Sequence, residues 1–206
     1  MDVFEAMTTL RAMRRLKPDP VDGELIWKVL DAAIRAPSGG NLQPWAFVVV
    51  TDPAKKAKIG EWYLDGWNKT YGTAAAQALA AADSPAGRTF RSADHLARNI
   101  ASVPVLIFAC VQAARVATVS GVGANVFPAV QNLMLAARAL GLGTTLTTLH
   151  RTHEAEVRQL LGVPDDFETL CMIPMGWPKG KFGAGPRRPV EEVTHWDAWG
   201  AHRQRG

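Results

Sequence analysis

Ala36-Pro37-Ser38-Gly39-Gly40-Asn41-Leu42-Gln43-Pro44-Trp45 joins two very different patterns. Upstream, Leu25, Ile26, Val29, Leu30, Ala33 and Ile34 draw an apolar stripe at helical spacing, which Pro37 ends. Downstream, Trp45–Val50 is short, apolar and β-branched, the pattern of a buried strand. A tight helix-to-strand loop accounts for the glycines and prolines. It does not account for Ser38, Asn41 and Gln43 together, beside a Gly39-Gly40 pair that lets backbone approach a flat ligand closely. The loop is a candidate binding segment.

Working outward, Pro104–Val111, Thr144–Leu149 and Thr169–Met175 read as three more strands. Val3, Phe4, Met7 and Leu10 recur at helical spacing. They predict a first helix running up to Arg11–Arg15 and stopped by Pro18 and Pro20. Phe127–Leu140 reads as a long buried helix closed by Gly141 and Gly143, and Thr152 as the cap of a helix over Glu154–Leu161 with Gly162 beyond it. Ala74–Asp83 is alanine-rich, good helix but poor core, and is expected at the periphery. Strands separated by helices of uneven length imply a mixed α+β or α/β layer rather than a bundle or sandwich. No repeat or linker divides residues 1–206, so a single domain is expected.

With 48% hydrophobic and 20% charged residues among 206, an ordinary core is within reach without disulfides or metals. A formal charge of +4 is too mild to argue for nucleic acid as a partner. Cys110 and Cys171 sit in apolar runs and read as buried free thiols. The N-terminus lacks the basic start and apolar stretch of a signal peptide, and Val103–Val111 is too short to cross a bilayer. A cytoplasmic protein with no membrane partner is the expectation.

Several familiar chemistries find no support. Gly121-Val122-Gly123 and Gly141-Leu142-Gly143 do not complete the dinucleotide fingerprint, and Gly176–Lys181 lacks phosphate-loop spacing. His150 and His153 lack a third ligand and read as a solvated pair at a helix start, so no metal site is expected. No serine or cysteine lies in a nucleophile elbow. Two basic segments remain. Arg11, Arg14 and Arg15 are either cations at a helix C-terminus or an anion clamp. Gly176–Lys181 with Pro186–Pro189 is either a flexible basic tail or a second source of charge for a phosphate.

Taken in order, these segments resemble the nitroreductase family of FMN enzymes. The resemblance rests on Arg11–Arg15 with Lys17–Pro20, on Ala36–Trp45, on Pro128–Arg138 through Thr144, and on Gly176–Lys181 with Arg187–Val193. It spans nearly the whole chain, and covers residues 73–90 least well. It implies an α+β fold with a central, mainly antiparallel sheet flanked by helices, and an intertwined homodimer with FMN at the subunit interface. Arg11, Ala12, Arg14 and Arg15 match positions that hold the FMN phosphate and ribityl chain. Pro37, Ser38, Gly39, Asn41 and Gln43 match the loop lent to the partner's flavin. Thr147, Thr148 and Leu149 match the backbone strip facing the ring, Arg187 and Arg188 a second phosphate contact, and Arg98 a basic residue near the pyrimidine edge. Where many members carry Arg-Arg-Ser, this chain has Leu10-Arg11-Ala12, one guanidinium and one hydroxyl fewer.

The resemblance implies an oxidoreductase that uses NADH or NADPH to reduce nitroaromatic, quinone or similar small acceptors. No catalytic side chain is assigned, since a flavin carries the redox work itself. The alternatives are a non-catalytic flavin carrier or sensor, and a same-fold enzyme that degrades flavin or removes halogen.

Overall fold

The computed structural model describes residues 1–116 and 119–203. Four strands, β1 (Trp45–Val50), β2 (Val105–Gln112), β3 (Gly143–Thr144) and β4 (Phe167–Gly176), form an antiparallel sheet in the order β1-β2-β4-β3. The described helices are α1 (Val3–Thr9), α2 (Gly23–Ala33), α3 (Pro53–Tyr71), α4 (Ala74–Ala81), α5 (Pro85–Asn99), α6 (Val119–Ala139) and α7 (Glu154–Leu161). The expected α+β fold with its antiparallel sheet is what the chain adopts.

β2 is apolar from Val105 to Val111 because both of its faces are covered. Val105, Ile107, Ala109 and Val111 enter one core with Val29 and Ala33 of α2 and Val126, Val130 and Leu133 of α6. Leu106, Phe108 and Cys110 enter the other, with Ile59, Tyr63 and Trp67 of α3, Leu96 of α5 and Val157 of α7. Successive strand side chains point to opposite faces, so one strand serves both layers. The pairing of β2 with β4 slips once: Ala109 lies opposite Cys171 but Cys110 opposite Thr169, leaving Leu170 as the extra residue of a bulge. Both cysteines are buried and free, and burial pushes their thiols up to about 11 for Cys110 and about 12 for Cys171.

The structure changes several expectations. The first helix stops at Thr9, and Arg11–Arg15 is extended rather than helical. There Met13 N–H donates to Thr144 at 2.8 Å, Lys17 N–H to Trp177 at 2.7 Å, and Lys179 N–H to Arg15 at 2.9 Å, so the backbone is spent on tertiary pairing. β1 matches its expected bounds but is half-buried, being an edge strand. The strand expected over Thr144–Leu149 is regular only at Gly143–Thr144. Beyond it the chain touches β4 through one bridge, Thr147 to Met172, and curls into a 3-10 turn at Leu149–His153. α7 has the expected bounds, yet Thr152 does not cap it: its hydroxyl donates to the Leu149 carbonyl at 2.8 Å. α6 begins well before Phe127 and carries Pro128 inside it. Helices α3 and α5 were not expected at all.

Candidate functional site

Residues 11–15 lie outside any helix: Met13 turns into the core, while Arg11, Ala12 and Arg15 are exposed and Arg14 is half-buried. Arg11, Ala12, Met13, Arg14 and Arg15 line an open cavity of about 200 Å³, closed by Ser92 of α5 and by Gly180 and Lys181. Arg11, Arg14, Arg15 and Lys181 have no acidic partner among the described residues. His95, on the same helix as Ser92, is pushed below its ordinary value, by burial first and then by Arg15 and Lys179. Unpaired cations converging on one recess are the donor set of an anion site.

Arg14 also lines a second cavity of about 610 Å³. Its floor is the strip Thr145, Leu146, Thr147, Thr148 and Leu149, and its walls include Tyr63, Trp67 and Tyr71 of α3. The strip is fixed from below by two bonds, Thr147 N–H to Met172 at 3.0 Å and Met172 N–H to Thr147 at 2.9 Å. The Tyr63 hydroxyl shares a 2.7 Å hydrogen bond with Thr147 Oγ1. Burial raises the Tyr63 pKa, with Thr147 and Arg14 opposing, so the phenol stays neutral beside the guanidinium. Burial likewise lowers Arg14, with Tyr63 opposing.

α3 can lie this close to the 149–153 turn because it carries Gly66. A Cβ there would collide with Thr152 Oγ1 and stand 3.2 Å from the Leu149 carbonyl. Gly66→Val is therefore expected to force α3 off the turn and cost about 1–3 kcal/mol, as overpacking does. An unchanged urea midpoint would contradict this placement.

Of the residues expected at the site, Arg11, Ala12, Arg14 and Arg15 meet at the small cavity, and Thr147, Thr148 and Leu149 meet Arg14 at the larger one. The Pro37–Gln43 loop lines neither. Its Gly39 N–H donates to Asn125 Oδ1 of α6 at 2.7 Å, Gln43 N–H donates to Ser38, and Gly40, Asn41 and Gln43 take positive φ. Arg98 is paired with Asp94 at 2.9 Å beside a separate cavity of about 260 Å³. Arg187 and Arg188 are exposed on the tail, outside both cavities, while Lys181 stands at the small one. The histidines are not a solvated pair. His150 is fully buried against Phe108 and bonds Thr169 at 3.1 Å, and His153 bonds Asp65 at 2.6 Å. Tyr63, Trp67 and Tyr71 escaped the sequence reading. Their four-residue spacing on one helix face was the available signal.

The family pattern described as "Nitroreductase family" matches residues 8–177, most of the chain. The chain belongs to the nitroreductase family. This chain is 30% identical over 203 residues to a Thermus thermophilus protein named NADH dehydrogenase, covering 95% of this chain and 96% of that one. It is 32% identical over 189 residues to iodotyrosine deiodinase 1 of Rattus norvegicus, covering 86% of this chain but 62% of that longer protein. In fold it is similar to a nitroreductase from Desulfitobacterium hafniense solved with bound FMN, with TM-score 0.72, 18% identity, and 96% and 100% of the two chains covered. No described helix is long and apolar enough to cross a membrane.

Proposed function

We propose that this nitroreductase is an FMN-dependent oxidoreductase that takes electrons from NAD(P)H and passes them to nitroaromatic, quinone or similar small conjugated acceptors. One observation carries the reading: four cations without acidic partners among the described residues surround a small recess, and one of them, Arg14, opens into a larger cavity floored by a fixed backbone strip. A ligand with a phosphate at one end and a flat heterocycle at the other suits that distribution.

Arg11, Arg15 and Lys181 would hold the phosphate by charge-assisted hydrogen bonds. Thr147, Thr148 and Leu149 would present the strip to the ring. Arg14, at the junction, would place positive charge where negative charge collects on reduction. FMN bound there would supply the two-electron redox chemistry itself. In the homodimer inferred with this reading, Pro37, Ser38, Gly39, Asn41 and Gln43 complete the partner's site, and Arg187 and Arg188 add charge near a phosphate. The larger cavity beside the strip admits nicotinamide and acceptor in turn, so ping-pong kinetics follow.

The protein should purify yellow and release about one FMN per chain. A colourless preparation that stays empty after FMN is added would overturn the proposal. Steady-state rates should give parallel double-reciprocal lines as either substrate is varied, whereas intersecting lines would require two sites. Arg14→Ala is expected to weaken FMN binding roughly 10- to 150-fold, the size of a lost charge-assisted hydrogen bond. Fluorescence titration reads this directly, and wild-type affinity in the variant would make Arg14 a bystander.

The likeness to a deiodinase favours one second reading, reductive removal of halogen from a halogenated phenol. Halide release assayed beside nitroarene reduction, with the same reductant, separates the two.

A further inference from the structure

Arg151 also lines the larger cavity, and nothing said so far uses it. Its backbone lies at the opposite end of the strip from that of Arg14. Arg14 follows Met13, whose N–H is tied to Thr144 where the strip begins, while Arg151 lies beyond Leu149 and donates its own N–H to the Thr148 carbonyl at 3.0 Å.

The side chain is held in a particular way. Glu154 Oε1 accepts both the N–H and the hydroxyl of Thr169, each at 3.1 Å, which pins the carboxylate to β4. Its other oxygen, Oε2, accepts from Arg151 Nε at 3.1 Å. The guanidinium is thus gripped at Nε alone, and its two terminal nitrogens have no partner among the described residues. Among the described residues no carboxylate lines the larger cavity. A planar fork held from behind, with both prongs free, is the geometry that takes a carboxylate by two parallel hydrogen bonds. A phosphate suits it less: the recess at the other end gathers four cations, whereas this guanidinium is alone and already shares its charge with Glu154.

We propose that Arg151 is a specificity-determining residue that binds the carboxylate of an aromatic acid, so that the enzyme prefers anionic acceptors over neutral ones of the same shape. The inference rests on the reading of the larger cavity as the place of reduction.

The test compares 4-nitrobenzoate with 4-nitrobenzamide, using FMN-loaded enzyme and saturating NAD(P)H, in wild type, Arg151→Gln and Arg151→Lys. Wild type should favour the benzoate in kcat/KM. In Arg151→Gln the benzoate-to-benzamide ratio should fall about 10- to 100-fold, mainly through KM, the loss expected for one bidentate charged pair. Arg151→Lys should restore part of it, because the charge returns without the fork. A ratio that does not move, or a loss equal for both acceptors, overturns the proposal. So does an effect confined to the KM of NAD(P)H, which would assign Arg151 to the reductant. Benzamide reduction by wild type reports separately on the underlying reading: if it proceeds while the ratio stays fixed, only the role of Arg151 falls. If wild type reduces neither acceptor, both fall.

Discussion

Phe108→Ala should lower the unfolding free energy by about 3–5 kcal/mol, the usual cost of emptying a large aromatic site in a core. Phe108 is fully buried at the centre of the sheet. Its ring packs into the layer that carries α3, α5 and α7, and the His150 ring meets it edge-on at 5.3 Å. Truncation leaves a void under the same side chains that wall the larger cavity, so flavin affinity should fall together with stability. Urea unfolding of the flavin-free protein measures the first effect without linkage to ligand. A loss under 1 kcal/mol would mean that the layer collapses to fill the space.

The second large effect is acid lability through His150. Burial pushes its pKa down to about 4, with the Thr169 bond and Glu154 opposing, and its Nδ1 has no partner among the described residues. The unfolded chain takes up this proton near pH 6.5, but the folded chain resists until about pH 4. The contribution is therefore complete above pH 6.5 and lost as pH falls toward 4, on the order of 3 kcal/mol in all. His153 works in the opposite sense. Its pKa is raised, first by Asp65, so its contribution is present in acid and lost as pH rises through the raised value. Comparing wild type with His150→Gln at each pH cancels His153. The gap between the two should move against wild type by about 2–3 kcal/mol between pH 7.5 and pH 4.5. Parallel pH profiles would show that His150 binds its proton as readily folded as unfolded.

Local patterns were legible where one side of the chain meets one environment. β1 and α7 have their expected bounds because the local pattern of each, a short apolar β-branched run and a helical repeat closed by Gly162, agrees with the place the fold gives it. Residues 11–15 were not legible as extended chain. What holds them out of a helix is pairing with residues far off in sequence, Thr144 and Lys179, and no local pattern reports that. The cation cluster was legible nevertheless, since Arg11, Arg14 and Arg15 line one cavity whichever way the backbone runs. α3 and α5 did carry signals, Asp52-Pro53 and Ser84-Pro85, each a capping side chain before a proline in the first turn. The cap sites were there to be read, but the amphipathic faces behind them mix large aromatics with glycine and alanine. Arg151 stayed invisible for a similar reason. Its orientation depends on Glu154, and that of Glu154 on Thr169, a residue of another element.

The bulge at Leu170 makes β4 behave as two reading frames joined end to end. In the frame of Cys171, Ile173 and Met175, Thr169 would turn toward α2 and α6. With one residue looped out it turns instead toward His150 and Glu154. The half of the strand that supports the strip through Met172 is thereby decoupled in phase from the half that anchors Glu154 and, through it, Arg151. Changes of chain length on the α7 side can be absorbed at the splice without rotating the residues beneath the strip. The floor of the larger cavity and the side chain at its far end can therefore vary independently in sequence, so one scaffold can keep the strip while changing what stands beside it.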